Sequence, residues 1–222
     1  MNMRASEVFR EEAHIQFDQR KFPIWKRSVD LVGALIGLVI LFPIFSIILF
    51  LILITDGRPI FFSQERLGIG GETFRIFKFR SMRKDAEEIL RIDPVIYDLY
   101  VSNDYKLPEG EDPRITKIGL FLRKTSLDEI PQFWNVLIGD MSLVGPRPIV
   151  WDELNEYGSK KHLFLSMKPG ITGVWQVSGR SGLKYPERAD VELSYLEKQG
   201  MAFDIAVLFR TVFCVVKRKG AF

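Results

Sequence analysis

The longest apolar stretch of the chain covers residues 31–54 and contains no charged residue. Ser46 is its only polar side chain, and Pro43 lies near its centre. A straight helix of this length would extend about 36 Å, which exceeds the roughly 30 Å hydrocarbon core of a bilayer. The stretch is too long for the apolar region of a signal peptide, and no small-residue cleavage site follows it. The pattern therefore predicts a membrane segment that is joined to a polar domain.

Basic residues flank this segment on both sides, so their distribution assigns no orientation to a spanning helix. Lys26 and Arg27 precede it, and Arg58 and Arg66 follow it. One interpretation is a single spanning helix with a kink. The other is a re-entrant helix with both ends on the cytoplasmic face.

Pro43 is the residue on which this choice depends. Proline removes a backbone hydrogen bond and bends or breaks a helix. Each half would then measure roughly 18 Å, enough to enter a bilayer and too little to cross it. We expect Ser46 to donate to the carbonyl freed near Leu38 or Val39.

The remaining pattern predicts a short β-hairpin and several helices around it. Residues 4–22 have apolar positions at helical spacing and predict an amphipathic surface helix that ends at Pro23. The hairpin is predicted over residues 60–65 and 72–81, and further helices over 84–91, 115–122, 130–138 and 203–216. The last helix precedes a basic tail and suits either the lipid interface or a core position. The predicted units are the N-terminal helix (1–22), the membrane helix (23–56) and the catalytic domain (57–222).

Composition narrows the function further. The net charge of +3, from 31 basic and 28 acidic residues, argues against a nucleic-acid binder. Cys214 is the single cysteine, which excludes an internal disulfide and a multi-cysteine metal site. With only His14 and His162, oxygen ligands would hold any metal, which favours Mg²⁺ or Ca²⁺.

Asp128 and Glu129 are adjacent acids in a segment rich in cations. Ser126 followed by Glu129 matches a capping box, so both acids could simply begin a helix. The alternative is an anion site, since five cations surround the pair along the sequence: Arg114, Lys117, Arg123, Lys124 and Arg147. Acids inside an anion site are expected to hold a metal or to act as a nucleophile.

Other candidates for binding phosphate or nucleotide lie on turns and on the hairpin. Arg147 lies between Pro146 and Pro148, which suits either a rigid phosphate-binding turn or a surface ion pair. Lys78 and Arg80 are two residues apart and would share one face of a strand, towards a phosphate or the headgroups. Gln176 and Arg180, in a turn-rich segment, suit nucleotide or sugar contacts as well as structural roles. Gly68-Ile69-Gly70-Gly71 is better explained as a hairpin turn than as a phosphate loop.

Five ordered motifs carry a resemblance to a known family. They are residues 78–82 (Lys-Phe-Arg-Ser-Met), 127–129 (Leu-Asp-Glu), 135–148, 168–173 and 175–180. Together they resemble the bacterial sugar transferase family, the monotopic polyprenyl-phosphate phosphoglycosyl transferases, over about residues 22–222. The chain is similar to the small members of the family, without the extra membrane helices of the larger ones.

The resemblance implies a fold and a reaction. The fold would be α+β and mainly helical, with a re-entrant membrane helix broken at Pro43, amphipathic interface helices and a small β-hairpin or sheet. Asp128 would attack the sugar-linked phosphate of a UDP-sugar, with release of UMP, and polyprenyl phosphate would then accept the phosphosugar. Glu129 resembles the Mg²⁺ ligand, and Lys78, Arg123 and Arg147 match phosphate-facing cations.

The sequence also predicts where the substrates bind and which partners the protein has. The predicted substrate-binding residues are Lys78, Arg80, Arg114, Arg123, Arg147, Gln176, Arg180 and Glu192. The family usually has an acid, most often Asp, three residues before a tyrosine. Here Glu192 precedes Tyr195 by three, and Asp190 is the alternative.

The expected location is the cytoplasmic face of the bacterial inner membrane. Beyond UDP-sugar, polyprenyl phosphate and membrane lipids, a homodimer and downstream glycosyltransferases are the expected partners. Two other functions stay open from the sequence, a membrane-anchored scaffold for glycan-assembly enzymes and a hydrolase that uses the same aspartate.

Overall fold

The computed structural model describes residues 23–103, 107, 112–179 and 182–217. The helix predicted over residues 4–22 and Arg180 lie outside the described residues. The described helices are α1 (Ile24–Thr55), α2 (Ala86–Ile92), α3 (Pro94–Ser102), α4 (Lys117–Thr125), α5 (Gln132–Ile138), α6 (Lys161–Leu165), α7 (Val174–Ser178), α8 (Glu187–Leu193), α9 (Tyr195–Lys198) and α10 (Met201–Val216). The strands are β1 (Phe61–Leu67), β2 (Thr73–Phe79), β3 (Ser142–Val144) and β4 (Gly170–Thr172). The fold is mainly helical, as predicted, with two small sheets.

Among the described helices, only α1 is long and apolar enough to cross a membrane. It is continuous from Ile24 to Thr55 and includes Pro43, where a break was expected. A proline removes a single backbone hydrogen bond, and the neighbouring turns keep the helical path. The expectation for Ser46 was wrong, because its hydroxyl donates to the Phe42 carbonyl at 2.9 Å. Bonding back by four residues is a common alternative for serine within a helix.

The start of α1 is attached to the domain by a buried polar network. The Lys26 ammonium donates to the Val144 carbonyl at 2.9 Å and to Asp204 at 2.5 Å. Asp30 accepts hydrogen bonds from the Leu143 amide and the Ser142 hydroxyl, each at 2.9 Å. Because Lys26, Asp30 and Asp204 are all buried, breaking this network would leave uncompensated charge inside the protein. The network fixes α1 to β3 and α10.

The end of α1 is attached to the same domain. The Arg80 guanidinium donates to the carbonyls of Asp56 and Gly57 at 2.6 and 3.0 Å. These carbonyls follow the last turn of the helix, so Arg80 acts as a cap for its carboxyl end. Ile48 and Ile52 are buried in the small core beside β2, α4 and α5. Three rings extend this packing onto the hairpin, with centroids 4.9 to 6.0 Å apart: Phe45, Phe61 and Phe79.

The predicted hairpin is confirmed. β1 and β2 pair antiparallel, with Phe62 opposite Lys78 and Arg66 opposite Phe74. Asn135 in α5 holds the free edge of β2, since its side chain donates to the Arg75 carbonyl at 2.7 Å and accepts from the Phe77 amide at 3.0 Å. This contact fixes β2, and with it Lys78, relative to α5.

A second sheet was not predicted. β3 and β4 pair in parallel, with Ser142 opposite Gly170 and Val144 opposite Thr172. The two backbones approach closely at Gly145, where an added Cβ would lie 2.3 Å from the Lys168 carbonyl oxygen. Only glycine fits such a contact. The pairing gives a rigid base for Arg147, which lies two residues after Gly145.

Helix α10 leaves an apolar face uncovered. Val207 and Asp204 are buried against the domain, whereas Phe209, Val212 and Phe213 are more than half exposed. One face of this helix therefore packs against the core, and the exposed face has the character of a lipid-interface helix.

Candidate active site

Asp128 and Glu129 lie in a short turn of 3₁₀-helix between α4 and α5. The turn covers Leu127–Glu129 and begins after Ser126, which adopts the left-handed conformation with φ 57° and ψ 18°. The Ser126 side chain makes no capping hydrogen bond to the turn, so the capping-box interpretation was wrong. A non-glycine residue in this conformation is strained, and such strain is concentrated at functional sites.

Glu129 is held by two cations from separate parts of the fold. Its carboxylate accepts a hydrogen bond from Lys78 of β2 at 2.7 Å and lies 3.7 Å from the Arg147 guanidinium. The Arg147 guanidinium also lies over the Trp175 ring, 5.6 Å from its centroid. Hairpin, turn and β3–β4 sheet therefore converge on the acidic pair.

Asp128 is almost completely buried, and this changes its proton affinity. Burial raises the pKa of Asp128 to about 6, although Lys78, Arg123 and Arg147 favour the charged form, and the adjacent Glu129 raises it further. From the sequence alone, the neighbouring cations predict a lowered pKa, and this prediction is wrong because desolvation outweighs their attraction. A carboxyl group with a pKa of about 6 is still mostly ionised at pH 7.

A cavity opens beside this pair, and it has an excess of positive charge. Its polar lining comes from the β1–β2 hairpin, three helical segments and the segment after β3: Arg66, Lys78, Glu129, Gln132, Arg147 and Gln176. Three of these side chains are cationic and one is anionic. Such a lining attracts an anion and suits the planar, multidentate recognition of phosphate.

The other predicted cations have different positions. Arg123 is largely buried at the end of α4, which lowers its pKa, and the charge of Asp128 opposes that shift. Arg114 is paired with Asp112 through two hydrogen bonds of 2.8 and 2.7 Å. Arg80 does not share a face with Lys78, because β2 ends at Phe79 and the Arg80 side chain turns to the end of α1. Arg114 and Arg80 therefore have structural partners away from the cavity.

The two candidates for the family acid are also separated. Glu192 is buried, accepts a hydrogen bond from the Tyr157 hydroxyl and pairs with Arg188 at 3.3 Å. Burial raises the pKa of Glu192. Asp190 lies at the surface, where Lys160 contacts it at 2.6 Å. Glu192 is thus the inward-facing acid of the two, held within a buried network.

Arg66 lines the cavity and was not among the predicted site residues. Side chains alternate along a strand, so Phe62 and Arg66 share one face of β1, and Phe62 is paired with Lys78. The hairpin register therefore places Arg66 and Lys78 on the same face. Arg66 could therefore be predicted as a site residue only when the register of the hairpin is known.

A divalent cation is compatible with the donor set. In the described part of the chain, no group of three or more His, Cys, Asp or Glu side chains is arranged to hold a metal. Asp128 and Glu129 provide only adjacent carboxylates, so a metal here would need phosphate oxygens or water as further ligands. Mg²⁺ commonly binds to one or two carboxylates together with substrate phosphates. The residues therefore suit Mg²⁺ better than a cation that requires a full protein cage.

The fold and the site together define a class: a protein with a membrane-type helix and a cationic cavity that contains two adjacent carboxylates. The sequence profile of the family described as "Bacterial sugar transferase" matches residues 21–218. The chain therefore belongs to the bacterial sugar transferase family.

Several named proteins are similar to this chain. The "UDP-galactose-lipid carrier transferase" of Erwinia amylovora is 46% identical over 201 residues, which cover 89% of this chain and 41% of that protein. The "Undecaprenyl-phosphate galactose phosphotransferase" of Salmonella typhimurium is 44% identical, with the same coverage of 89% and 41%. The chain thus spans less than half of the length of these two relatives.

A third relative has a similar length. The "Exopolysaccharide production protein ExoY" of Sinorhizobium fredii is 37% identical over 203 residues, which cover 90% of this chain and 88% of that protein.

Proposed function

We propose that this protein transfers a sugar 1-phosphate from a UDP-sugar to polyprenyl phosphate. Undecaprenyl phosphate is the lipid carrier in the name of the Salmonella typhimurium relative. The transfer releases UMP and begins the assembly of a lipid-linked glycan at the cytoplasmic face of the inner membrane. The names of the relatives support a UDP-sugar as donor and a lipid phosphate as acceptor.

The observation that carries this proposal is the environment of the acidic pair. Buried Asp128 stands next to Glu129, and Glu129 contacts both Lys78 and Arg147 at the edge of a cationic cavity. A carboxylate that attacks a diphosphate needs the negative charge of the phosphates to be neutralised. The cations of the cavity supply this neutralisation, and burial keeps water away from the nucleophile.

The proposed chemistry consists of two displacements at one phosphorus atom. An Asp128 carboxylate oxygen bonds to the sugar-linked phosphorus, and the bond from that phosphorus to the bridging oxygen breaks. The bridging oxygen leaves with UMP and takes the electron pair. An oxygen of the lipid phosphate then attacks the same phosphorus, and the bond to Asp128 breaks to restore the carboxylate. Glu129 would hold Mg²⁺ here, which when bound would neutralise phosphate charge.

Transfer itself can be measured directly. Membranes that contain the protein, incubated with a UDP-sugar labelled with ³²P on the sugar-linked phosphate, should move the label into the organic phase when polyprenyl phosphate is present. Labelled sugar phosphate released into water, without dependence on the lipid, would indicate a hydrolase instead. Absence of any turnover with a panel of UDP-sugars would favour the scaffold.

We further propose that α1 enters the membrane and returns to the same side. Lys26 near its start and the carbonyls of Asp56 and Gly57 at its end are all bound by one polar domain. The middle of the helix is exposed, with Val39, Ile40 and other apolar side chains uncovered. A helix that crossed the bilayer would place its two ends on opposite sides, where one domain could not contact both.

Cysteine labelling tests this topology. In a Cys214→Ser background, single cysteines at Ser6 and at Ser159 should both resist an impermeant thiol reagent in intact cells and react after permeabilisation. Pro43→Ala restores the missing N–H group and should make position 6 reactive in part of the population. Labelling at position 6 alone, with Pro43 present, would establish a spanning helix.

A further inference from the structure

Among the described residues that line the cavity, Arg66 is the cation that does not contact Glu129. It lies near the end of β1, on the face that β1 shares with Lys78, and its side chain is 19% exposed. Arginine within a cavity of this kind is costly to bury unless its charge is compensated.

The contacts of Arg66 orient the guanidinium and leave part of it for a ligand. Nη1 donates to Glu153 at 3.2 Å and to the Pro148 carbonyl at 3.4 Å, and Nη2 donates to Gln64 at 2.8 Å. An arginine side chain has five N–H donors. Within the described part of the chain, these contacts occupy three of them, so two remain for a group in the cavity.

The charges around Arg66 also favour binding of a further anion. Burial and the positive charge of Arg147 lower the pKa of Arg66, and Glu153 opposes this shift. Glu153 is shared, because it also lies 3.7 Å from Arg188. Glu129 is the acid that both Lys78 and Arg147 contact. Arg66 therefore adds a cation to the same cavity that the acidic pair does not compensate, and a diphosphate has a second phosphate group for it to bind.

We propose that Arg66 binds the phosphate that carries no sugar, first as the departing phosphate of UMP and then as the acceptor phosphate of the lipid, with Glu153 as its positioning residue. The assignment rests on the proposed function. Phosphoryl displacements place the attacking and leaving oxygens roughly in line. If Asp128 occupies one side of the sugar-linked phosphorus in both steps, the leaving phosphate and the incoming phosphate must use the same opposite side in turn.

Binding measurements with Arg66→Gln test the assignment. We expect the dissociation constant of radiolabelled UMP, measured by equilibrium dialysis with detergent-solubilised protein, to rise about 10- to 100-fold, the range for hydrogen bonds to a charged group. Binding of uridine, which has no phosphate, should stay unchanged. A short-chain prenyl phosphate should compete with UMP for the unaltered protein, and its inhibition constant should rise by a similar factor in Arg66→Gln.

Three further variants separate phosphate binding from a loss of folding. Arg66→Lys keeps the charge without the planar fork and should recover part of the affinity. Glu153→Gln keeps Arg66 and removes the acid that positions its guanidinium. The affinity for UMP should therefore fall by about 3- to 10-fold, and the affinity for uridine should not change. Arg91→Gln is the matched control, because Arg91 is exposed and pairs with nearby Glu87 at 3.7 Å. It should leave all three constants unchanged.

The outcomes separate the assignment of Arg66 from the proposed transferase function. Transfer by the unaltered protein, with unchanged UMP binding in both Arg66→Gln and Glu153→Gln, overturns the assignment of Arg66 alone. If Arg66→Gln weakens the binding of UMP but not of prenyl phosphate, or the reverse, the two phosphates do not share one position. If the unaltered protein transfers no sugar phosphate, the proposed function fails and this assignment fails with it.

Discussion

Asp128→Asn should abolish the release of UMP from a UDP-sugar, with a fall in turnover of about 10⁴-fold or more, as expected when a covalent nucleophile is removed. An amide has nearly the size of a carboxyl group but is a far weaker nucleophile. Asp128 is buried at 7% exposure, so the near-equal size keeps the packing of the turn intact. The loss should therefore be chemical, with a melting temperature close to that of the unaltered protein.

The covalent step has a direct signature. Incubation with UDP-sugar and no acceptor should release up to one UMP per active site and leave a phosphosugar on the peptide that contains Asp128, visible by mass spectrometry after quenching. Asp128→Asn should lose both signals. Asp85→Asn is the matched control, since Asp85 is partly exposed and paired with Arg83 at the surface. Intersecting double-reciprocal plots without an adduct would instead indicate direct attack by the lipid phosphate.

The sequence was sufficient to predict the elements whose patterns are local. The apolar stretch around Pro43 and the alternation in the hairpin depend on neighbouring residues, and both elements form where they were expected. The sequence motifs predicted Asp128, Glu129 and Arg147 as site residues, and the fold brings these three together with Lys78.

The misses have a common physical cause, which is tertiary packing. The pKa of Asp128 depends on how much of the turn is buried, and no sequence window contains that information. Arg80 follows Phe79, the last residue of β2, so the alternation of side chains along the strand does not extend to it. It therefore does not share a face with Lys78. Arg66 enters the site only through the register of the hairpin. The β3–β4 sheet was not predicted, because each strand has three residues, which are too few to show the two-residue alternation of a β-strand.

Glu129→Gln should lower turnover by at least about 10²-fold, because the amide cannot supply the anionic oxygen that a hard cation requires. The Glu129 side chain is 22% exposed at the edge of the cavity, so the substitution removes charge without opening the core. EDTA should stop turnover by the unaltered protein, and added Mg²⁺ should restore it.

A titration with Mg²⁺ separates a metal ligand from a purely electrostatic residue. If Glu129 holds the ion, the Mg²⁺ concentration for half-maximal turnover should rise about tenfold or more in Glu129→Gln, since one of few protein ligands is lost. If Glu129 serves only to hold Lys78 and Arg147, turnover should fall with an unchanged Mg²⁺ requirement. Glu65→Gln, an exposed position on the same hairpin, is the matched control and should behave like the unaltered protein. Full activity in EDTA, or near-normal turnover by Glu129→Gln, would exclude the magnesium role and leave the cations of the cavity as the only neutralising charge.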